Sequence, residues 1–128
     1  MAQKIGILIQ NGVHLKEHEY ETVKVFLQKG YDVELIPPLQ TKNAHTPDVV
    51  IDGGSWEMKA PTGNGKNTIR NIMHKASRQS DNIIIDLRRC KMDDEKAINE
   101  IVKAFGDSKK IRKIKIVTKS HEIIDIPK

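Results

Sequence analysis

The chain has 128 residues, enough for one domain with a buried core, and its single cysteine excludes both an intrachain disulfide and a multi-cysteine zinc site. Lys and Arg number 22 against 17 Asp and Glu, and the resulting net charge of +5 is typical of proteins that bind polyanions. No stretch is long and apolar enough for a membrane span, and the N-terminus lacks a signal-peptide pattern. We therefore expect one soluble, cytoplasmic domain over 1–128.

The spacing of apolar residues predicts three helices and seven short strands, which indicates a mixed α/β fold. The isoleucine-rich run at 82–87 is typical of a central strand that is covered on both faces. A cationic cluster at 109–115 fits a solvated strand edge at least as well as a binding surface. In chain order we expect a strand over 4–10, a helix over 14–29, a strand over 31–36, a loop over 39–46, two hairpin strands over 47–59, a helix over 67–80, a strand over 82–87, a helix over 93–105, and strands over 111–117 and 122–126.

The hairpin segment at 47–59 reads PDVVIDGGSWEMK and carries the most informative polar residues. Glycine is the residue that best tolerates positive φ, so we expect Gly53 and Gly54 at the two central positions of a tight turn. This register places Asp48 directly opposite Lys59. The segment therefore predicts an antiparallel pair of short strands with charged residues near its open end.

Side chains alternate between the two faces of such a pair, so Asp48, Glu57 and Lys59 are expected on one face, with Trp56 and Met58 in an apolar stripe on the other. Two carboxylates a few ångströms apart can hold a divalent cation that activates water, and a lysine can stabilise the negative charge that develops on a phosphate. We predict Asp48, Glu57 and Lys59 as catalytic residues of phosphodiester hydrolysis, and Asp48 and Glu57 as metal ligands. An ordinary cross-strand ion pair between Asp48 and Lys59 is the alternative.

A glycine-rich bend at 63–66 leads into the second helix, but its spacing differs from the pattern G-x-x-x-x-G-K-[S/T] of nucleoside triphosphatases. Backbone amides at a helix start, beside cationic side chains, still form a site for one phosphate, whereas a flexible turn and a solvated helix face are the alternative. Asp86 and Arg88 end the central strand, where sites of α/β proteins gather, and Asp86 equally fits a buried carboxylate paired with Arg88. The predicted substrate-binding residues are Lys66, Thr68, Arg70, His74 and Arg88.

The middle of the chain has the order helix, strand, strand, strand, helix, strand, with Pro47-Asp48 opening the second strand and Glu57-Met58-Lys59 in the third. Over about 15–89 this pattern resembles the core of the PD-(D/E)XK nucleases. The resemblance implies an αβββαβ core and a nuclease that uses Mg²⁺ at the two carboxylates. Nucleases of this kind often add a carboxylate from the first helix, for which Glu17 and Glu21 are the candidates.

A second resemblance covers about 31–105 and rests on the runs PDVVIDGGSWEMKAP, GNGKNTI, ASRQS and NIIIDLRR. These runs are similar to the C-terminal tRNase domains of contact-dependent growth inhibition toxins of the CdiA type and of related polymorphic toxins. The resemblance implies an RNase that acts on tRNA, is delivered into a target cell by a larger protein, and is neutralised by a cognate immunity protein, expected to be acidic. Some toxin tRNases have instead the metal-free fold shared by barnase, EndoU, colicins and RelE, and that alternative needs no cofactor.

The leading hypothesis is an endoribonuclease that cleaves tRNA with Asp48, Glu57 and Lys59 in its active site. The alternatives are a metal-dependent DNA nuclease of the PD-(D/E)XK type and a non-catalytic nucleic-acid-binding module. Aromatic residues make up only 4% of the chain, so recognition is expected to depend on phosphates and shape rather than on base stacking.

Overall fold

Helices and strands alternate along the part of the chain that the computed structural model describes, residues 4–38 and 46–127. The predicted loop over 39–46 lies almost wholly outside these residues. Within them, no helix is long and apolar enough to cross a membrane. The helices are α1 (Glu17–Gln28), α2 (Thr68–Ser77) and α3 (Asp94–Asp107). The strands are β1 (Leu8–Ile9), β2 (Val33–Leu35), β3 (Val49–Ile51), β4 (Gly54–Lys59), β5 (Asn82–Asp86), β6 (Lys113–Val117) and β7 (Ile123–Ile126).

The strands form one mixed sheet in the order β1-β2-β3-β4-β5-β6-β7. β2, β3 and β4 are antiparallel neighbours, whereas β4, β5 and β6 are parallel to one another. The predicted mixed α/β fold is confirmed, and the expected order of helix, three strands, helix and strand is present as α1-β2-β3-β4-α2-β5. These directions bring the carboxyl ends of β2, β4, β5 and β6 and the start of β3 to one edge of the sheet, which we call the carboxyl edge.

The sheet separates two apolar clusters, one beneath α1 and one beneath α2 and α3. Ile84 belongs to the α1 cluster, whereas Ile83 and Ile85 belong to the other, and all three are fully buried with 0% exposure. Full burial of one such side chain contributes about 1.5–3 kcal/mol to folding. The isoleucine run is therefore a central strand covered on both faces, as its composition predicted.

The turn between β3 and β4 begins one residue earlier than the sequence predicted. Ile51 pairs with Gly54, so Asp52 and Gly53 occupy the two central positions. Their φ angles of 53° and 76° are both in the left-handed region, as a type I′ turn requires. The prediction that Gly53 and Gly54 occupy the central positions was wrong, because aspartate also tolerates positive φ and Asp-Gly is a preferred pair in this turn.

The observed register gives the residues of β3 and β4 other cross-strand partners than predicted, but their side chains stay on the predicted faces. Val50 pairs with Ser55 and not with Glu57, a shift of two positions, so every side chain of β4 keeps the face predicted for it. Asp48 lies in a bend before β3 and is not paired with Lys59. The alternative of a cross-strand ion pair between Asp48 and Lys59 is therefore wrong, because Lys59 forms its ion pair with Glu57.

Lys115 lies in the cationic cluster expected at a solvated edge, but it is only 6% exposed. β6 is an interior strand, and this side chain points to the α1 side, level with Ile84. Its ammonium group is 2.6 Å from the Asp125 carboxylate and 5.3 Å from the centre of the Trp56 ring. The expectation of a solvated side chain was wrong for this residue, because the carboxylate and the aromatic ring replace water around the charge.

Candidate active site

Glu57 and Lys59 lie at the end of β4, on the face that α2 and α3 cover. The parallel register places them beside Ile83 and Ile85, on the side of the sheet opposite Trp56. Lys59 Nζ is 3.3 Å from Glu57 Oε2, and the two side chains are 14% and 5% exposed. A largely desolvated ion pair of this kind is held more firmly than a surface pair, so it gives the lysine a defined position at the carboxyl edge.

Asp48 is tied to β4 by two hydrogen bonds, although it precedes β3. Its Oδ2 accepts a hydrogen bond from the Met58 N–H at 2.8 Å, and its own N–H donates to the Trp56 carbonyl at 2.9 Å. Asp48 therefore bonds to β4 through both its carboxylate and its backbone N–H, one residue before β3 begins. These contacts hold Asp48 at the carboxyl edge close to Glu57.

The pKa of the Asp48 carboxyl group is shifted well above its ordinary value. Burial raises its pKa from 3.8 to about 6, and the charges of Glu57 and Glu19 raise it as well, whereas the Met58 N–H and the Lys59 ammonium lower it. A carboxyl group that titrates near neutral pH can take up a proton during a reaction. Asp48 is therefore suited to act as a general base or to hold a cation.

Glu19 is the acidic residue of α1 whose charge acts on Asp48, whereas the sequence singled out Glu17 and Glu21. Glu19 Oε1 accepts a hydrogen bond from the Lys16 N–H at 2.9 Å, at the start of α1. Glu21 instead pairs with Lys24 on the helix surface at 3.4 Å. Lysine is not a capping residue, so no capping signal in the sequence marked the start of α1 or separated Glu19 from its acidic neighbours.

Asp86 and Arg88 form a buried ion pair, which the sequence predicted as the alternative to a functional site at the end of the central strand. Asp86 is 1% exposed, and its carboxylate accepts Arg88 Nε at 3.0 Å and Nη2 at 2.7 Å. Thr22 of α1 also donates to this carboxylate. Asp86 lies beside Val117 on the α1 side, so this cluster shares the carboxyl edge with Lys59 but occupies the opposite face.

The remaining predicted substrate-binding residues lie along α2 and in the bend that precedes it. Thr68 Oγ1 accepts a hydrogen bond from the Gly65 N–H at 3.0 Å and thereby fixes the bend before the helix. Lys66 and Arg70 line a cleft of about 500 Å³ between α2 and α3, together with Lys103 and two acidic residues of α3, and a second cleft contains Arg70 with His74. The structure brings together Asp48, Glu57 and Lys59. Lys66, Arg70 and His74 instead line clefts that contain none of these three residues.

The donor set at the carboxyl edge fits a magnesium ion. Asp48 and Glu57 supply hard oxygen ligands, and Mg²⁺ commonly binds through one or two carboxylates while it keeps several waters. The pKa of Asp48 is raised mainly by burial and to a lesser degree by the charges of Glu57 and Glu19, and a bound cation would offset this smaller, electrostatic part. The described residues contain no group of three or more His, Cys, Asp or Glu side chains placed to bind a metal, so these two carboxylates are the ligands to test.

Comparisons with known proteins identify the family of this chain. A chain of the CdiA-CT/CdiI toxin and immunity complex from Burkholderia pseudomallei is similar to this one, with a TM-score of 0.70 and 20% identity over 96% of this chain and 100% of that chain, which shows a shared fold. No curated protein matches the chain. The family model described as the contact-dependent growth inhibition CdiA C-terminal domain matches residues 45–123, more than half of the sequence. The chain therefore belongs to the CdiA C-terminal domain family of contact-dependent growth inhibition toxins, as its sequence runs implied.

Proposed function

We propose that this toxin domain is an endoribonuclease that cleaves tRNA, with Asp48, Glu57 and Lys59 in its active site. The observation that carries the proposal is the convergence of these three side chains at the carboxyl edge. The Lys59 ammonium is 3.3 Å from Glu57, and the pKa of Asp48 is raised to about 6 by burial and then by its acidic neighbours. A base that titrates near neutral pH beside a fixed cation is what phosphodiester hydrolysis requires.

Each residue has a distinct role in the proposed reaction. Asp48 accepts the proton of the attacking water as the new bond to phosphorus forms. Lys59 stabilises the negative charge that accumulates on the phosphate oxygens before the bond to the leaving ribose oxygen breaks. The ribose oxygen then takes a proton from solvent water. Glu57 orients Lys59 through their ion pair. Asp48 and Glu57 are also the residues that would hold Mg²⁺, and a bound ion lowers the pKa of its water.

Charge supports a nucleic acid as the substrate. The net charge of +5 favours a polyanion, and Lys66, Arg70 and Arg88 are the cations proposed to bind its phosphates. Family membership supports a toxin, and the resemblance in sequence to tRNase domains favours tRNA over DNA. The same carboxylate pair serves DNA hydrolysis equally well, so duplex DNA belongs in the assay as the competing substrate.

The biological setting follows from the family. We propose that a larger protein delivers the domain into a target cell and that a cognate immunity protein neutralises it in the cell that makes it. The similar structure from Burkholderia pseudomallei is that of a toxin and immunity complex. Because this chain carries a net charge of +5, we expect its own immunity protein to be acidic.

The test is cleavage of purified tRNA and of duplex DNA by the wild-type domain and by Glu57→Gln and Lys59→Met. Loss of one group that stabilises the transition state typically reduces the rate by about 100-fold or more. Glu122→Gln is a matched control, because Glu122 forms an exposed ion pair with Lys29 at 3.5 Å. Circular dichroism confirms that each variant is folded.

Cleavage at the wild-type rate by both folded variants would remove these residues from the active site. Cleavage of DNA without cleavage of tRNA would replace the proposed substrate. Binding of nucleic acid without cleavage of either substrate would favour the binding-module alternative.

A further inference from the structure

Thr22 and Asp86 have no role in the reaction proposed above, and their partner Arg88 enters it only as one of the cations proposed to bind phosphates. The Asp86 carboxylate accepts four donors: the Thr22 hydroxyl and the N–H, Nε and Nη2 of Arg88, the last three at 2.9, 3.0 and 2.7 Å. Asp86 and Thr22 are 1% and 2% exposed. These bonds occupy the lone pairs of the carboxylate, so Asp86 is poorly placed to bind a metal or to accept a proton.

Arg88 is the member of the cluster that remains able to bind something else. Nε and Nη2 are used by Asp86, whereas Nη1 has no hydrogen-bond partner among the described residues. The side chain is 14% exposed, so the guanidinium is fixed along one side and accessible at the other. A guanidinium held in this way loses little conformational entropy when it forms a further pair of hydrogen bonds, and phosphate oxygens are its preferred acceptors.

The α1 helix connects this cluster to the candidate active site. Glu19 influences the ionisation of Asp48, and Thr22, one helical turn later, donates to Asp86. Both Asp86 at the end of β5 and Lys59 at the end of β4 lie at the carboxyl edge. They lie on opposite faces of the sheet, so a nucleic-acid strand that reaches both Lys59 and Arg88 would have to cross this edge.

We propose that Thr22 and Asp86 are positioning residues that hold Arg88 so that its Nη1 binds a phosphate of the RNA other than the one that is cleaved. This inference rests on the proposed nuclease function. A purely structural role explains the cluster less well, since a buried ion pair contributes little net stability compared with apolar residues of the same volume. Arginine is required because the ammonium group of lysine cannot make two parallel bonds to Asp86 while it reaches a phosphate.

The experiment compares Arg88→Lys, Arg88→Ala, Asp86→Asn and Thr22→Val with the wild-type domain, measuring tRNA cleavage kinetics and tRNA binding over a salt series. For Arg88→Lys and Asp86→Asn we expect KM to rise about tenfold with kcat nearly unchanged, because a charge-assisted bond to a remote phosphate is lost. Arg88→Ala should also reduce the slope of log Kd against log salt by about one. Thr22→Val should give a smaller increase in KM in the same direction.

The control is the pair Arg112 and Asp81, which is exposed, has an N–O distance of 3.9 Å and lies at the opposite edge of the sheet. Arg112→Ala and Asp81→Asn should leave KM and the salt slope unchanged. Should Asp86→Asn fail to fold, Arg88→Lys decides the question, because it keeps the charge and removes only the paired geometry.

Wild-type KM and salt slope in folded Arg88→Lys and Arg88→Ala would overturn the inference while the proposed function stands. A fall in melting temperature without a change in KM would do the same, since it indicates a structural role alone. A wild-type domain that neither binds nor cleaves tRNA would overturn the proposed function and the inference with it.

Discussion

Replacement of Asp48 by asparagine is expected to stabilise the folded domain at neutral pH while it abolishes cleavage. The folded pKa of about 6 lies above the ordinary value of 3.8, so ionisation of Asp48 opposes folding. The difference corresponds to about 3 kcal/mol, and because the side chain is partly solvated we expect about 1–2 kcal/mol. The amide introduced by Asp48→Asn would keep an acceptor for the Met58 N–H and remove the repulsion from Glu57 and Glu19.

The sign of the pH dependence follows from the direction of the shift. A group with a raised folded pKa contributes its stability fully below the unfolded pKa, and this stability is lost as the pH rises through the folded pKa. The wild-type domain should therefore lose stability relative to Asp48→Asn between about pH 4 and pH 6, and the difference should be constant above that range.

Urea unfolding at several pH values between about 4 and 8, in the presence of EDTA, measures this difference directly. Asp81→Asn is the matched control, because the Asp81 side chain is 64% exposed and should show no such pH-dependent gain. If Asp48→Asn is less stable than the wild type near pH 8, or if the difference does not change with pH, then burial does not raise the pKa of Asp48 and the reasoning is refuted.

Two further predictions concern the cation and the phosphates. EDTA is expected to stop tRNA cleavage and Mg²⁺ to restore it, because Asp48 and Glu57 would otherwise lack the ion that activates water, and full activity in EDTA would show that the cleavage needs no metal. Lys66→Ala and Arg70→Ala are each expected to reduce the slope of log Kd against log salt by about one without moving the cleavage position. Unchanged slopes in both variants would show that the cleft between α2 and α3 does not bind RNA.

The sequence was sufficient where the physical cause is local. Alternation along β4 placed Glu57 and Lys59 on one face whichever register the turn adopted, because the two registers differ by an even number of residues. The composition of 82–87 predicted a strand covered on both sides. The turn itself was misplaced because Asp52 and Gly54 compete for a left-handed position that both residue types tolerate.

The features that the sequence did not predict depend on contacts between distant segments. Thr22 and Asp86 are 64 positions apart, and no local pattern indicates that a helix hydroxyl will meet a strand carboxylate. The burial of Lys115 likewise requires Asp125 and an aromatic ring from β4, which only the assembled sheet brings together. Which acidic residue of α1 acts on the pKa of Asp48 depends on the rotational phase of the helix. A shift of one residue changes that phase by about 100°.

Trp56 is the single tryptophan of the chain and therefore an intrinsic fluorophore at a defined position. Its indole is 4% exposed, donates from Nε1 to the Ile51 carbonyl at 3.2 Å and has the Lys115 ammonium 5.3 Å from its ring centre. It adjoins Glu57 in the chain but faces the other side of the sheet. Its emission thus reports unfolding and any movement of the hairpin without an added label, and its burial shields the reporting side chain from direct contact with RNA.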